Sequence, residues 1–191
     1  MSIRLATTIL LLLVGVMHSL GARAEKADRA QELRISAKRG VVEGTKDANT
    51  KMVEGDVIIT QGTMRITADR AIVKENEGYV FAELFGSGND QISFRQKREG
   101  TDSFVEAWSD RAEFDNRAST LKLFSRAKFK SDGDQAVGEY FFYDTVNEKY
   151  ELRNQVPNAK ASPSQEDGRV NFVIQPRLKD SKPTPAAGKA N

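Results

Sequence analysis

The 191-residue sequence has no cysteine, one histidine, one tryptophan and five prolines. Without cysteine, a fold must be held by packing and backbone ladders, because neither a disulfide nor a thiolate metal centre can form. The lone histidine, His18, lies in an N-terminal stretch that reads as a leader. Beyond it the chain has no imidazole, which excludes His-based acid–base work, Ser-His-Asp nucleophilic catalysis and the usual zinc ligand sets. Carboxylates, lysine and tyrosine remain, so the composition argues against an enzyme, and no catalytic residue, metal or cofactor is assigned. Long apolar runs are also missing. The best, Leu5 to Met17, is interrupted by Thr7 and Thr8 and falls short of the roughly 20 residues that a bilayer span needs.

That short apolar stretch follows Arg4 and precedes Ala22-Arg23-Ala24, the order of a signal peptide with a small-x-small cleavage site. Residues 1–24 are therefore expected to be removed and the mature chain to start at Glu25. Removing Arg4 and Arg23 from the 29 basic residues leaves as many cations as the 27 acids. A formally neutral domain gives no bulk-charge argument for nucleic acid, which needs a basic excess. The mature length suits one domain with its own core. We place it at 25–176, with a disordered Lys/Pro/Ala-rich tail at 177–191. Glu25 to Gln31 is expected to be loose.

Within the domain, period-two alternation replaces helical periodicity. Met64 and Ile66 share one parity in Thr63–Thr67, and Leu121 and Leu123 do so in Thr120–Leu123. The same pattern recurs in Ala127–Lys130 and Lys149–Arg153, and each segment is bounded by turn residues such as Gly62, Asp115-Asn116, Asp132-Gly133 and Asn147. Many short alternating strands indicate an all-β antiparallel architecture. A weak repeat runs beneath it. The segments beginning Ile35-Ser-Ala-Lys-Arg, Ile66-Thr-Ala-Asp-Arg, Ala107-Trp-Ser-Asp-Arg and Ala136-Val-Gly-Glu-Tyr each read as strand, small-plus-charged corner, strand. Such a unit, laid down about four times, suits a solenoid or a stacked sandwich. A last strand is expected within Arg169 to Pro176.

The run from Gly55 through Thr60-Gln61-Gly62 to Ala68-Asp69 and Val73 resembles the signature of the organic-solvent-tolerance (OstA-like) family of lipopolysaccharide transport proteins. The resemblance extends over roughly Leu33 to Leu152. It implies a β-jelly-roll or β-taco of short antiparallel strands with an open groove along one side, working in the periplasm. It also implies the acyl chains of lipid A as ligand, and head-to-tail assembly by edge-strand pairing. The partners implied are copies of the same chain, an inner-membrane LptC-like protein and an outer-membrane LptD-like translocon. This chain departs from the pattern by a small insertion around Glu43 to Thr50, and by Asn116 and Thr120 where apolar groove residues are expected.

By parity, one face gathers Leu33, Ile35, Val57, Ile59, Met64, Ile66, Phe94, Phe114, Leu121, Leu123, Phe129, Phe141 and Tyr143. An apolar face in a β-sandwich is ordinarily core; under the resemblance these residues line the lipid groove, and both readings stay open here. A structural periplasmic scaffold with a closed core is the competing function. Asp110, Glu113 and Asp115 could suggest a paired-carboxylate hydrolase, but they read better as surface acids on an outward face. Arg95, Lys97 and Arg98 form a small basic run that could meet lipid phosphates, but they read better as a solvated hairpin. Gly86-Ser-Gly-Asn89 is a turn, since no Lys-Ser/Thr follows it as a phosphate loop requires.

Overall fold

In the computed structural model, residues 28–45, 47–155, 157 and 169–175 are described. The leader, the tail and most of the polar segment after Gln155 lie outside them. The fold is all-β and antiparallel, with a single helical turn, a 3₁₀ turn at Asp28–Ala30, among the described residues. Twelve strands follow: β1 Arg34–Ser36, β2 Arg39–Gly44, β3 Ala48–Gln61, β4 Met64–Asn76, β5 Tyr79–Phe85, β6 Ile92–Lys97, β7 Phe104–Ser109, β8 Arg111–Asp115, β9 Thr120–Ser131, β10 Asp134–Asp144, β11 Lys149–Arg153 and β12 Asn171–Val173.

Four long strands, β3, β4, β9 and β10, each belong to two layers. The first half of β3 pairs with β2 and its second half with β1. In β4 the halves pair with β6 and β5, in β9 with β8 and β7, and in β10 with β12 and β11. One layer therefore runs β2–β3–β4–β5–β8–β9–β10–β11, and the second runs β1–β3–β4–β6–β7–β9–β10–β12. A circuit β4–β5–β8–β9–β7–β6 returns to β4, so the sheet closes on itself in a jelly-roll-like manner.

The layers meet along one edge, where the four long strands turn a corner. Between β3 and β4 the register slips so that Gly55 and Asp56 lie opposite Asp69, and between β9 and β10 Ser125 and Arg126 lie opposite Glu139. Two residues against one is a β-bulge, which bends the bulged strand. Gly55, Asp56, Ser125 and Arg126 all have positive φ, which only glycine adopts without strain. The four repeat units of the sequence are these corners seen from one side. Lys38, Asp69, Asp110 and Glu139 each sit where the chain passes from the second layer to the first. Their charges face solvent along the edge, and Lys38 pairs with Asp56 at 2.7 Å and Asp110 with Arg126 at 2.7 Å. Gly138 serves this edge by size, since a Cβ there would come within 2.9 Å of the Arg153 carbonyl oxygen.

The opposite edge is a mouth between two rows of turns. One row is 45 and 47, 77–78, 116–119 and 145–148 of the first layer; the other is 62–63, 98–103 and 132–133 of the second. The N-terminal segment is not loose throughout. Asp28 is buried, its carboxylate accepts the Thr63 N–H at 2.9 Å and the Thr63 hydroxyl, and Gln31 C=O accepts from Gln61 at 3.2 Å. A buried carboxylate is costly unless hydrogen-bonded, so this pair of donors pins residues 28–31 against the second row of turns. The expected last strand shortens to β12, and Glu43 and Thr50 lie opposite each other where β2 ends and β3 begins.

Candidate functional site

The space between the layers is the candidate site, and each wall is built by strand alternation. In the first layer one inward row reads Val42, Lys51, Val73, Ala82, Phe114, Leu121, Tyr143 and Tyr150 across neighbouring strands. In the second layer the facing row reads Ile35, Ile59, Ile66, Phe94, Ala107, Phe129, Ala136 and Phe172. The walls touch through their aromatic residues. Phe94 meets Tyr143 edge-on at 5.8 Å, and Phe129 stacks on Phe141 at 4.8 Å.

All thirteen residues singled out by parity point into this interior. Eleven are at most 4% exposed; Leu33 and Ile35, at the β1 end, are half-buried. The walls are thus closed on each other in the middle and part towards the ends. Burying such side chains stabilises the fold by about 1.5–3 kcal/mol each, so the same residues make the core and the candidate lining.

At the β1/β2 end the layers separate around a cavity of about 560 Å³, lined by Leu33, Ile35, Val42, Val53, Val73 and Val80 with polar groups on its rim. Lys51 and Glu75 point inward here and form an ion pair. The hydrogen bond from Lys51 holds the Glu75 carboxyl below the usual carboxylate range, against the opposing effect of burial. At the far end a cavity of about 200 Å³ lies over Val105, Phe129, Tyr143 and Tyr150.

Depth changes the chemistry of the interior. Rows near the corner edge are aliphatic and aromatic: Val53, Ala71, Leu84, Ala112, Leu123 and Phe141. At the mouth the inner lip turns polar, with Gln61, Gln96, Asn116, Ser119 and Thr145 gathered around Met64 and Phe114. Gln96 is buried and its side-chain oxygen has no hydrogen-bond partner. Asn116 does not floor the groove. Its side chain accepts the Val80 N–H at 2.7 Å and donates to Gly78 C=O at 3.2 Å, bracing the β4–β5 turn. Thr120 belongs to an outward row with Asp115 and Asp144.

A clasp crosses the mouth near the far end. Arg98, on the β6–β7 loop of the second layer, donates from Nε at 3.0 Å and Nη2 at 2.9 Å to one oxygen of Glu148, on a turn of the first layer. The other Glu148 oxygen accepts the Glu99 N–H at 2.8 Å, and Arg98 also pairs with Asp132. The Glu148 hydrogen bond holds the Arg98 guanidinium above its already high ordinary value, with burial opposing. So Arg98 is a bridge between layers and not part of a solvated hairpin. Arg98→Ala is expected to cost at most about 1 kcal/mol, because both partners are partly in water. It should nevertheless speed amide exchange at 98–103 and 145–148 while leaving the β3–β4 ladder unchanged. Unaltered exchange at both turns would show that the clasp holds nothing.

The carboxylates that could suggest a hydrolase are structural. Glu113 faces outward and pairs with Arg111 and Lys122, and Asp115 accepts from the Tyr79 hydroxyl and the Ala118 N–H. Among the described residues no group of His, Asp and Glu could hold a metal ion.

Comparisons with known proteins agree with this geometry. A family model described as "LptA/(LptD N-terminal domain) LPS transport protein" matches residues 34–149. The lipopolysaccharide export system protein LptH of Pseudomonas aeruginosa is 26% identical over 171 residues, which covers 88% of this chain and 94% of that protein. The crystal structure of LptH, described as the LptA homologous periplasmic component of a lipopolysaccharide transport device, shares the fold. It matches at a TM-score of 0.67 and 23% identity, over 78% of this chain and 99% of that one. Proteins of this kind are transport carriers and not enzymes. With more than half its length matched, this chain belongs to the LptA/LptD N-terminal domain family of lipopolysaccharide transport proteins.

Proposed function

We propose that this chain is a periplasmic bridge protein that takes the lipid A acyl chains of lipopolysaccharide between its two layers and relays them from the inner to the outer membrane. The observation that carries the reading is the polarity gradient across the interior. Acyl chains would lie towards the corner edge against Val53, Leu84, Leu123 and Phe141, and the head group would emerge past the polar lip at Gln96, Asn116 and Ser119. Each methylene removed from water contributes about 0.8 kcal/mol, so an apolar slot retains acyl chains without any specific polar contact. The cavity beside β1 and β2 is the entry. Edge strands at both ends would pair with an LptC-like inner-membrane partner, an LptD-like translocon and further copies of the chain, through backbone hydrogen bonds.

The closed contact of the walls in the middle favours a second reading, a scaffold whose interior never opens. Native mass spectrometry of the purified protein, with and without added lipopolysaccharide, separates the two. A carrier gains whole-lipid mass increments at about one per chain. A scaffold keeps its unliganded mass, and that result would overturn the proposal.

A further inference from the structure

The formal neutrality of the chain beyond residue 24 hides a one-sided charge distribution. On the outer face of the first layer, acids and cations alternate in equal numbers along the strands. On the outer face of the second layer they do not. Its outward positions carry Arg34, Arg65, Arg95, Lys97, Lys128 and Lys130 against a single acid, Glu106. Four of the cations fall in one cross-strand row, which reads Arg34, Thr60, Arg65, Arg95, Glu106 and Lys130. Neighbouring strands are about 4.8 Å apart, inside the Debye length of about 8 Å at physiological salt, so adjacent charges act as one field.

Some of that charge is already answered: Arg34 pairs with Glu32, Arg95 with Glu106 and Lys97 with Asp102. Arg65, Lys128 and Lys130 make no ion pair among the described residues. Aromatic residues sit among the cations. Trp108, the single tryptophan of the sequence, lies between Ser93 and Lys128 in the adjacent row, and Arg95 covers the Phe104 ring at 3.7 Å. Val137, next in the row after Lys128, is 44% exposed.

We propose that the outer face of the second layer docks on an anionic phospholipid surface. Rows of Lys and Arg meet lipid phosphates as a field and need no fixed pocket. An indole and an exposed aliphatic group between them suit the headgroup boundary, where amphipathic rings settle. The face lies outside the interlayer slot, so docking does not depend on lipid carriage. It sets which side of the chain lies against a membrane while the mouth stays free.

Trp108 makes the test direct. Its emission should shift to the blue, and the protein should sediment, with vesicles of phosphatidylethanolamine containing about one-third phosphatidylglycerol, but not with neutral vesicles. Raising the salt to about 0.3 M should release it. The double change Lys128→Glu and Lys130→Glu should weaken vesicle binding at least about tenfold, and Lys128→Gln with Lys130→Gln should weaken it less. Lys74→Glu with Lys122→Glu, on the outer face of the first layer, should leave it within about twofold. Melting curves and lipopolysaccharide adducts measured on the same variants keep misfolding and loss of the slot separate from loss of docking. No binding to anionic vesicles at low salt, equal loss from both double variants, or binding to a DNA duplex in preference to vesicles would each overturn the proposal.

Discussion

A photo-crosslinking residue at position 114 should capture lipopolysaccharide, and the same residue at position 113 should not. The two positions are adjacent on β8, yet alternation sends them to opposite sides of the sheet. Phe114 is 3% exposed and lies at the polar lip, beside Gln96, Asn116 and Ser119, where the acyl chains would join the head group. Glu113 is outside, bound to Arg111 and Lys122. Phe114→Asp would place a carboxylate in an inward row between Ala82 and Leu121. An unpaired charge there, together with the lost aromatic volume, is expected to cost about 3–5 kcal/mol. That is a large share of the stability of a domain this size, so the variant should lose lipid adducts and melt far earlier. Phe114→Leu keeps the wall apolar at about 1 kcal/mol and should retain both. Equal capture at 113 and 114, or none at either in a protein that still melts cooperatively, would remove Phe114 from the lipid path.

The side of the sheet each residue faces was legible in the sequence because a strand has a period of two, and turns marked where each strand stops. Leu121 with Leu123, Ile59 with Val57 and Phe141 with Tyr143 follow from that rule alone. The corners were legible as a repeat, since a chain that bends at every crossing must spend a small or charged residue there each time: Lys38, Asp69, Asp110, Glu139. What the pattern does not carry is which charged residues break it. Lys51 and Glu75 occupy inward positions beside Val53 and Val73 and neutralise each other there, a pairing across two strands that alternation alone does not announce. The clasp joins Arg98 to a residue 50 positions away, a pairing fixed by how the layers lean together. Asp28 is held by Thr63 from 35 positions away, which is why the segment before β1 reads as loose in the sequence. The basic face is hidden for another reason. Net charge sums over all surfaces, and here the corner edge and the mouth hold the acids that offset the cations of the second layer.

Oxidising a variant that carries Val42→Cys and Tyr150→Cys should produce a covalent ladder of dimers, trimers and longer chains. The two positions end one inward row, Val42 on β2 and Tyr150 on β11, at opposite ends of the domain, so they cannot join within one molecule. If β11 of one copy pairs with β2 of the next, the strands run antiparallel. Continuing the register then sets Tyr150 beside Val42 and Lys149 beside Glu43 on the first layer, and Phe172 beside Ile35 on the second. Directly opposed residues have Cβ atoms about 4.5–5.5 Å apart, near enough for a disulfide after a small adjustment. The native chain has no cysteine to compete. The ends also carry most of the exposed large apolar side chains among the described residues: Val41, Val42 and Met52 at one, Tyr150, Phe172, Val173 and Ile174 at the other. Unpaired edges with exposed apolar residues are an aggregation hazard unless they are joined to another sheet. Joining them in register also makes one slot continuous with the next, as a relay requires. Phe172→Asp should lengthen the monomer range in sedimentation by at least about tenfold in concentration, since about 1.4 kcal/mol per junction is a factor of ten. Val42→Cys with Lys149→Cys, one residue out of phase, should give little ladder, because alternation places the second thiol on the outer face. A ladder of equal yield from both pairs would mean random collision, and none from either would mean that these edges do not meet.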